Sequence, residues 1–496
     1  MNLPTTLRRF LMVVMLGALP LAAQEAKPVA TTRTDAAGAL LNEWFAAGTA
    51  AGHAGDYYDN RDAGHSPLDP AAFPLLRPLP YLDSQREQKK DYGPPGEIRP
   101  ETVIGNASLS GSAVGGASIP RILTSTRDGL AFLRTQYLAN QLYVFPEHQD
   151  HDPAGEGLSG YGDLYAVNSP YLIISQGSSG SDQPLLRAVA MTLASFRPDV
   201  KESLRRQKLL MPVVQQILRS SLKTVKTRED YLTAVAHPSV FDGGLLDEEK
   251  MMRTAQAMAM QTLPPLFHLE LVRESPAPRP GMDFFESSGR DSESLADQGM
   301  VIARVFRGMG REREITVRVA RVQEWSGRPL QIHWRVLRGD ESSVTVTRSE
   351  TAPEATIRVR WNQPGWDVPG SSGLRSRRIE IGVFADDGER YSPPCFITFY
   401  FLPNEVRRYD EQDRIVEADY RFPGAFTDIT LTSTKPWRDL YHYDKSTGAL
   451  TGWTREEEGK PPVDFDAEGR LLEGGKSRPV RYEVDPSTHH LRQVPQ

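Results

Sequence analysis

The chain has 496 residues, a formal net charge of −6, 25% charged residues and 39% apolar ones. That length supports roughly two to four domains with their own cores. The acidic balance excludes a broad basic field, so nucleic acid is not an expected partner, and the single cysteine, Cys395, excludes an internal disulfide and leaves stability to packing.

Residues 1–24 read as a signal peptide. MNLPTTLRRF carries Arg8 and Arg9 and no acid, LMVVMLGALPLA is a short apolar run, and small residues surround Ala23; this is the layout of a secretory leader. The run is shorter than a membrane span requires. No later segment is apolar enough to cross a membrane, so no span is expected after cleavage. The expectation is export to the periplasm or the exterior of a bacterial cell.

Residues 36–275 are expected to form an α-rich domain with long loops. LLNEWFAAG is a short apolar helix. From Asp56 to Pro120 the chain is rich in Gly, Pro, Asp and Ser, with little periodicity, which marks a functional surface or poor order. TSTRDGLAFLRTQYLANQLYV predicts an amphipathic helix capped by Thr126, with Leu130, Leu133, Tyr137 and Leu138 on one face. DQPLLRAVAMTLASF, PDVKESLRRQKLL, MPVVQQILRSSLK and LLDEEKMMRTAQAMAMQ predict further helices. The methionines of the last, Met251, Met252, Met258 and Met260, sit at the spacing of core filler.

Four polar segments of this region carry the candidate chemistry. In YYDNRDAGH (57–65), Asp59, Asp62 and His65 recur at every third position, with Arg61 between them. In EHQDHDP, His148 and His151 alternate with Asp150 and Asp152 ahead of Pro153. Imidazoles and carboxylates suit zinc, iron or manganese, and carboxylates alone suit calcium. A divalent metal is therefore the candidate cofactor, with Asp62, His65, Asp150 and Asp152 as ligands drawn from separate loops. A metal-free acid–base site using His148, His151 and Asp59 fits the same residues, and so do plain Asp-capped turns. AHPSVFDG adds His237 and Asp242; a histidine there is a base or merely the partner of a helix end. NSPYLIISQGSSGSDQPLLRAVA reads as strand, Gly/Ser loop and helix, which aims backbone N–H groups at an anion. Gly177, Ser178, Ser181 and Asp182 are its ligand-binding candidates, with Arg61 from the first segment, and Ser179 is a nucleophile if one of the histidines lies beside it. The loop lacks the lysine of a phosphate-binding loop and the spacing of a nucleophile elbow. Capping of the next helix by Asp182 and the serines accounts for these residues alone and is the preferred reading.

From 300 to 402 the period changes to two. VIARVF, EITVRVARV, PLQIHWRVL, SSVTVT, ATIRVRW, RRIEIGVFA and CFITFYFL predict an antiparallel sandwich. WSGRPLQIHWRVLRGD resembles the Trp-bearing strand of polycystic-kidney-disease (PKD)-type and related immunoglobulin-like domains. Leu337-Arg338-Gly339-Asp340 stands where that family has a Phe-Gly-Asp-Gly turn. The resemblance implies a spacer or binding module. Trp334 reads as core. Trp325, Trp361 and above all Trp366, in NQPGWDVPG, are candidates for stacking on sugar rings.

From 405 to 496, YDEQDRIVEADY, YDKSTGALTGW, FDAEGRLLEGG and VDPSTHHLRQV share an aromatic or apolar residue, an Asp, a turn and a strand. The unit is a β-hairpin whose Asp starts the turn and whose Gly takes positive φ. It resembles the YD-type hairpin repeats of bacterial surface proteins.

The fold class expected is multidomain α+β: an α-rich N-terminal domain, a central antiparallel β-sandwich and a C-terminal hairpin module. The expected function is binding of an extracellular polymer or envelope component, such as glycan, through the N-terminal domain. The alternative is a secreted hydrolase whose site is built from the four polar segments.

Overall fold

The computed structural model describes residues 28–61, 66–80, 98–107, 124, 126–146, 167–175, 180–275, 293–361, 366–367, 375–376, 378–402, 405–421, 435–487 and 490–495. Helix α1 (Ala36–Ala46) starts at Asp35, whose carboxylate accepts from the Gly38 amide at 2.9 Å. Strands β1 (Asp56–Arg61), β2 (Arg77–Pro78) and β3 (Thr102–Ala107) follow, then α2 (Arg127–Leu138), β4 (Gln141–Pro146) and β5 (Ile173–Ser175). The five strands form one sheet in the order β2-β1-β3-β4-β5, and every pairing in it is parallel.

The expectation of helices is met, but it lacked a parallel sheet: residues 36–275 hold helices around one. The strands are short, and polar Asp56, Asp59, Arg61 and Asn106 interrupt the apolar run that a buried parallel strand usually shows. Strand β4 also follows α2 after only Ala139 and Asn140, so helix and strand read as one periodic stretch. All six positions of β3 and of β4 are buried, as a sheet covered on both faces requires.

The remaining helices lie close to where the periodicity predicts them. They are α3 (Gln183–Ser195), α4 (Pro198–Arg206), α5 (Leu210–Ser220) and α6 (Glu248–Ala257). Thr126 caps α2 through the Gly129 amide at 3.1 Å, and Asp247 caps α6 through Lys250 at 3.0 Å. Met251 and Met252 are fully buried in the core. At the amino edge of the sheet Lys201 Nζ reaches the Asp56 carboxylate at 2.6 Å, and His53 Nδ1 lies 2.9 Å from the same oxygen.

Two further sheets follow. Strands β6 (Leu266–Glu274), β7 (Ser294–Asp297), β8 (Val301–Val305), β9 (Glu312–Gln323), β10 (Gln331–Arg338), β11 (Val344–Arg348), β12 (Glu354–Arg360), β15 (Arg378–Asp386) and β16 (Cys395–Tyr400) divide into the orders β10-β15-β16-β8-β7 and β11-β12-β9-β6. Between β12 and β15 lies a small pair, β13 (Trp366–Asp367) with β14 (Arg375–Ser376). The pairings are antiparallel except β8 with β16, which is parallel and so departs from the purely antiparallel expectation. Two of the strands, β6 and β7, precede residue 300. Ile315, Val317 and Val319 of β9 alternate into the core as their spacing predicts, and Trp334 is buried.

Strand β15 is buried at every position, because the parallel-sheet unit packs on it. Tyr231 donates to the Ser392 carbonyl at 3.0 Å, Tyr171 donates to the Gln298 carbonyl at 2.6 Å, and Arg228 pairs with Asp386.

The C-terminal sheet is an antiparallel meander. It runs through β17 (Val406–Tyr409), β18 (Ile415–Asp419), β19 (Trp437–Tyr443), β20 (Leu450–Glu457), β21 (Val463–Asp466), β22 (Leu471–Glu473) and β23 (Lys476–Arg478) in that order. A separate hairpin joins β24 (Val480–Val484) to β25 (Leu491–Pro495). The internal repeat has a common turn. Asp410 and Asp466 each bond through N–H to the carbonyl four residues on, at 2.9 and 3.0 Å, and each carboxylate accepts from the amides at i+2 and i+4. The left-handed position is Asp413 (φ 59°) in one and Gly469 (φ 81°) in the other. The Asp444 and Asp485 turns are one residue longer, closing on Ala449 and His490 at 2.9 Å. The sheet is tied to the preceding unit by buried Arg407, which pairs with Glu405 at 2.5 Å, donates to the Arg307 carbonyl at 3.0 Å and lies 3.9 Å over the Trp361 ring. Among the described residues no helix is long and apolar enough to cross a membrane.

Candidate functional site at the carboxyl edge of the parallel sheet

Strands β1 and β3 are neighbours, although the chain visits β2 on the far side of β1 before reaching β3. The strand order therefore reverses between them. In open parallel sheets this is where a crevice forms outside the carboxyl ends of the strands.

A buried polar network occupies that edge. Asp59 Oδ2 on β1 accepts from Arg61 Nε and from the Tyr143 hydroxyl on β4, both at 2.6 Å. Asp59 pairs with Gly105 across the β1–β3 ladder. A Cβ at residue 105 would stand 2.2 Å from the Asp59 carbonyl and 2.8 Å from the Tyr143 ring, so glycine is what lets the three strands converge. A second chain of bonds runs alongside. The Leu68 amide donates to the Tyr58 hydroxyl (3.1 Å), Tyr58 to Asn106 Oδ1 (2.9 Å), and Asn106 Nδ2 to Asp182 Oδ2 (2.9 Å). Ser66, in the left-handed region at φ 46°, accepts from the Gly180 amide at 2.6 Å. Such strain in a non-glycine residue costs free energy and persists only where its surroundings enforce it.

Asp182 precedes the first turn of α3, where the sequence predicts a cap. Its side chain makes no cap hydrogen bond and turns instead to Asn106, with only its own amide and that of Gln183 acting on it from the backbone. Among the described residues its Oδ1 has no hydrogen-bond partner, and neither does the buried Ser181 hydroxyl beside it. Burial raises the Asp182 carboxyl above its ordinary value, while the neighbouring Ser66 and Asn106 groups pull it back. A fully buried carboxyl with one idle oxygen, beside an idle hydroxyl at a helix N-terminus, can both donate and accept toward a ligand.

Of the residues singled out in the sequence, Asp59, Arg61, Ser181 and Asp182 lie at this edge. The chain leaves β1, β4 and β5 at the same edge toward three of the polar segments. Asp62, His65, His148, Asp150, His151, Asp152, Gly177, Ser178 and Ser179 lie outside the described residues. His237 stands apart from the cluster. It is enclosed by Tyr231, Phe384 and Phe396; its Nε2 meets the Tyr231 carbonyl at 2.6 Å and its Nδ1 accepts from Arg219 at 3.3 Å. Burial, then the Arg219 charge, hold its imidazole well below the ordinary value, and so neutral. Asp242 caps a short turn through the Gly244 amide at 2.8 Å. Trp361 is buried against Phe306 and Phe401, whereas Trp366 opens β13. Among the described residues no three His, Cys, Asp or Glu side chains group as metal ligands would.

Sequence reasoning missed Tyr58, Ser66, Asn106 and Tyr143. The available signal was Gly105-Asn106 inside the otherwise apolar TVIGNA: a buried strand that tolerates Asn needs a partner for it. Compared with known families and curated proteins, the chain matches no family model and no curated sequence.

Proposed function

We propose that the parallel-sheet unit binds a small polar ligand, of the glycan or envelope-fragment class, at the carboxyl edge between β1 and β3. The protein acts outside the cytoplasm, and the sandwich (PKD-like) and hairpin (YD-like) units serve as its platform. The reading rests on one observation above the others: among the described residues the Ser181 hydroxyl and Asp182 Oδ1 are buried at the strand-order reversal without hydrogen-bond partners. Leaving such atoms idle costs about 1–3 kcal/mol each, a cost that a bound hydroxyl or carboxyl would remove. A glycan array followed by melting shifts with soluble cell-wall saccharides tests it. Binding that Asp182→Asn weakens at least tenfold is the expected result; no saccharide bound, or equal binding by the variant, refutes it.

A second reading, a secreted hydrolase, draws on the raised Asp182 carboxyl. A carboxyl whose burial favours the protonated form is suited to act as general acid to a leaving group. Turnover of chromogenic esters or glycosides that falls a hundredfold or more in Asp182→Asn supports it, and absence of turnover across such a panel removes it.

A further inference from the structure

A second polar feature, which shares no residue with the carboxyl-edge cluster, lies where the parallel-sheet unit meets β15. A cavity of about 10 Å³ is lined by Asn168, Arg219, Ser239 and Arg378 together with apolar Leu172, Ile174 and Phe241. That is room for one water-sized species. Arg219 is 1% exposed, and among the described residues no carboxylate lies within ion-pair distance of it. Its guanidinium rests 5.1 Å from the Phe241 ring and 5.5 Å from that of Phe396.

The neighbours of Arg219 do not supply the missing charge. His237 is neutral, because its Nδ1 accepts from Arg219 while Nε2–H faces the Tyr231 carbonyl. Burial pushes the phenols of Tyr137 and Tyr231 up, so both stay protonated. The one carboxylate acting on Arg219 from a distance, Glu380, lies 3.4 Å from Arg378 and 3.2 Å from Arg338. Burial lowers Arg219 only to about 10, so it stays charged at neutral pH. Two donors in the lining are also idle: among the described residues Arg219 Nε and Asn168 Nδ2 make no hydrogen bond. A buried, uncompensated guanidinium is strongly destabilising, and idle donors beside a cavity add to the cost.

The geometry points to a monatomic anion site: a halide ion seated in this cavity on Arg219, Asn168, Ser239 and Arg378, closing the junction between the parallel-sheet unit and β15. Water has the size but not the charge, and among anions a monatomic one comes nearest to the volume.

The test uses the full chain. Melting is followed as sodium bromide replaces sodium gluconate at fixed ionic strength, and crystals grown in bromide are measured at the bromine absorption edge. The expected result is a melting temperature that rises with bromide and saturates, with an anomalous peak in the cavity. In Arg219→Met both disappear. Should that variant fail to fold, Asn168→Leu fills the cavity and leaves the guanidinium in place; it must weaken the bromide dependence at least tenfold. Melting indifferent to bromide, a cavity without an anomalous peak, or a bromide response unchanged in either folded variant overturns the assignment. None of these readouts depends on a ligand at the carboxyl edge.

Discussion

Asp439 in the C-terminal sheet and Asp182 at the edge of the parallel sheet are both fully buried carboxylates, yet their surroundings differ in kind. Asp439 receives Arg455 on both oxygens, Nε and the terminal nitrogen each at 2.8 Å, and Arg455 in turn meets the Tyr482 hydroxyl at 2.8 Å and lies 4.1 Å over the Trp437 ring. Burial works against the Arg455 charge, and the Asp439 carboxylate more than offsets it, so that guanidinium is held firmly protonated. Asp182 has the neutral Asn106 amide on one oxygen, with Ser66 and the backbone amides of residues 182 and 183 nearby, and among the described residues its second oxygen is idle. The first arrangement is closed and has no capacity left for a ligand. The second is open, and burial raises its carboxyl in spite of the hydrogen-bonding groups of Ser66, Asn106 and the local backbone. A charged group built for architecture is satisfied internally, as Asp439 is; an idle buried carboxyl is a candidate for recognising something else.

The comparison breaks most visibly at Arg455. Arg455→Ala leaves Asp439 buried without its cation, and removing one partner of a buried pair costs about 3–5 kcal/mol. The C-terminal sheet should then unfold at clearly lower urea, followed by the fluorescence of Trp437 and Trp453, both buried there. A midpoint shift too small to measure would mean that the pair is not what closes this core.

How legible each region was follows from the same contrast. The hairpin tail was readable because its turn chemistry is local: Asp410, Asp444, Asp466 and Asp485 each bond within the next five residues. Helix caps are equally local, and Thr126 caps its helix as the sequence predicts. The parallel sheet was not readable, because its pairings join residue 57 with 103, 103 with 141 and 144 with 173 through long connections, and nothing in YYDNR or TVIGNA names its neighbour. Asp182 shows the limit within one residue. Local rules predict a cap, and a partner 76 positions away, Asn106, takes the side chain instead. The candidate site was half visible for the same reason: Asp59, Arg61, Ser181 and Asp182 stand in polar words, whereas Tyr143 and Asn106 acquire meaning only when β3 and β4 lie side by side.

Gly105→Ala examines the open side at its hinge. The added methyl would meet the Asp59 carbonyl and the Tyr143 ring, and overpacking of this kind costs about 1–3 kcal/mol. The Asp59–Tyr143 bond should be lost with it. Ligand binding would fall further than stability, so a variant that loses stability but binds normally would separate the Asp59 arm from the site. Asp182→Asn acts in the opposite sense. It removes a buried carboxyl that the fold leaves half-satisfied, so at neutral pH it should stabilise the protein by about 1 kcal/mol while ligand binding is lost. A destabilised Asp182→Asn would place Asp182 with Asp439 as an architectural group.

The smallest effect expected is in the pH dependence, and there the sign decides. His53 and His237 are enclosed, and burial holds both imidazoles below the ordinary value of 6.5. The unfolded chain therefore takes up protons first as the pH falls through that value. Stability declines on the acid side until the folded imidazoles protonate in turn. Asp182 runs the other way. Its folded carboxyl keeps a proton above the ordinary 3.8, so the folded state binds more protons there and its contribution declines as the pH rises through the folded value. Asp182→Asn leaves the histidine arm unchanged and abolishes the carboxyl arm. Melting curves of the two proteins should accordingly lie close together in acid and separate toward neutral pH, with the variant above. A separation that stays constant across the range would mean that Asp182 gives up its proton as readily in the fold as in the unfolded chain, and the contrast with Asp439 would then rest on geometry alone.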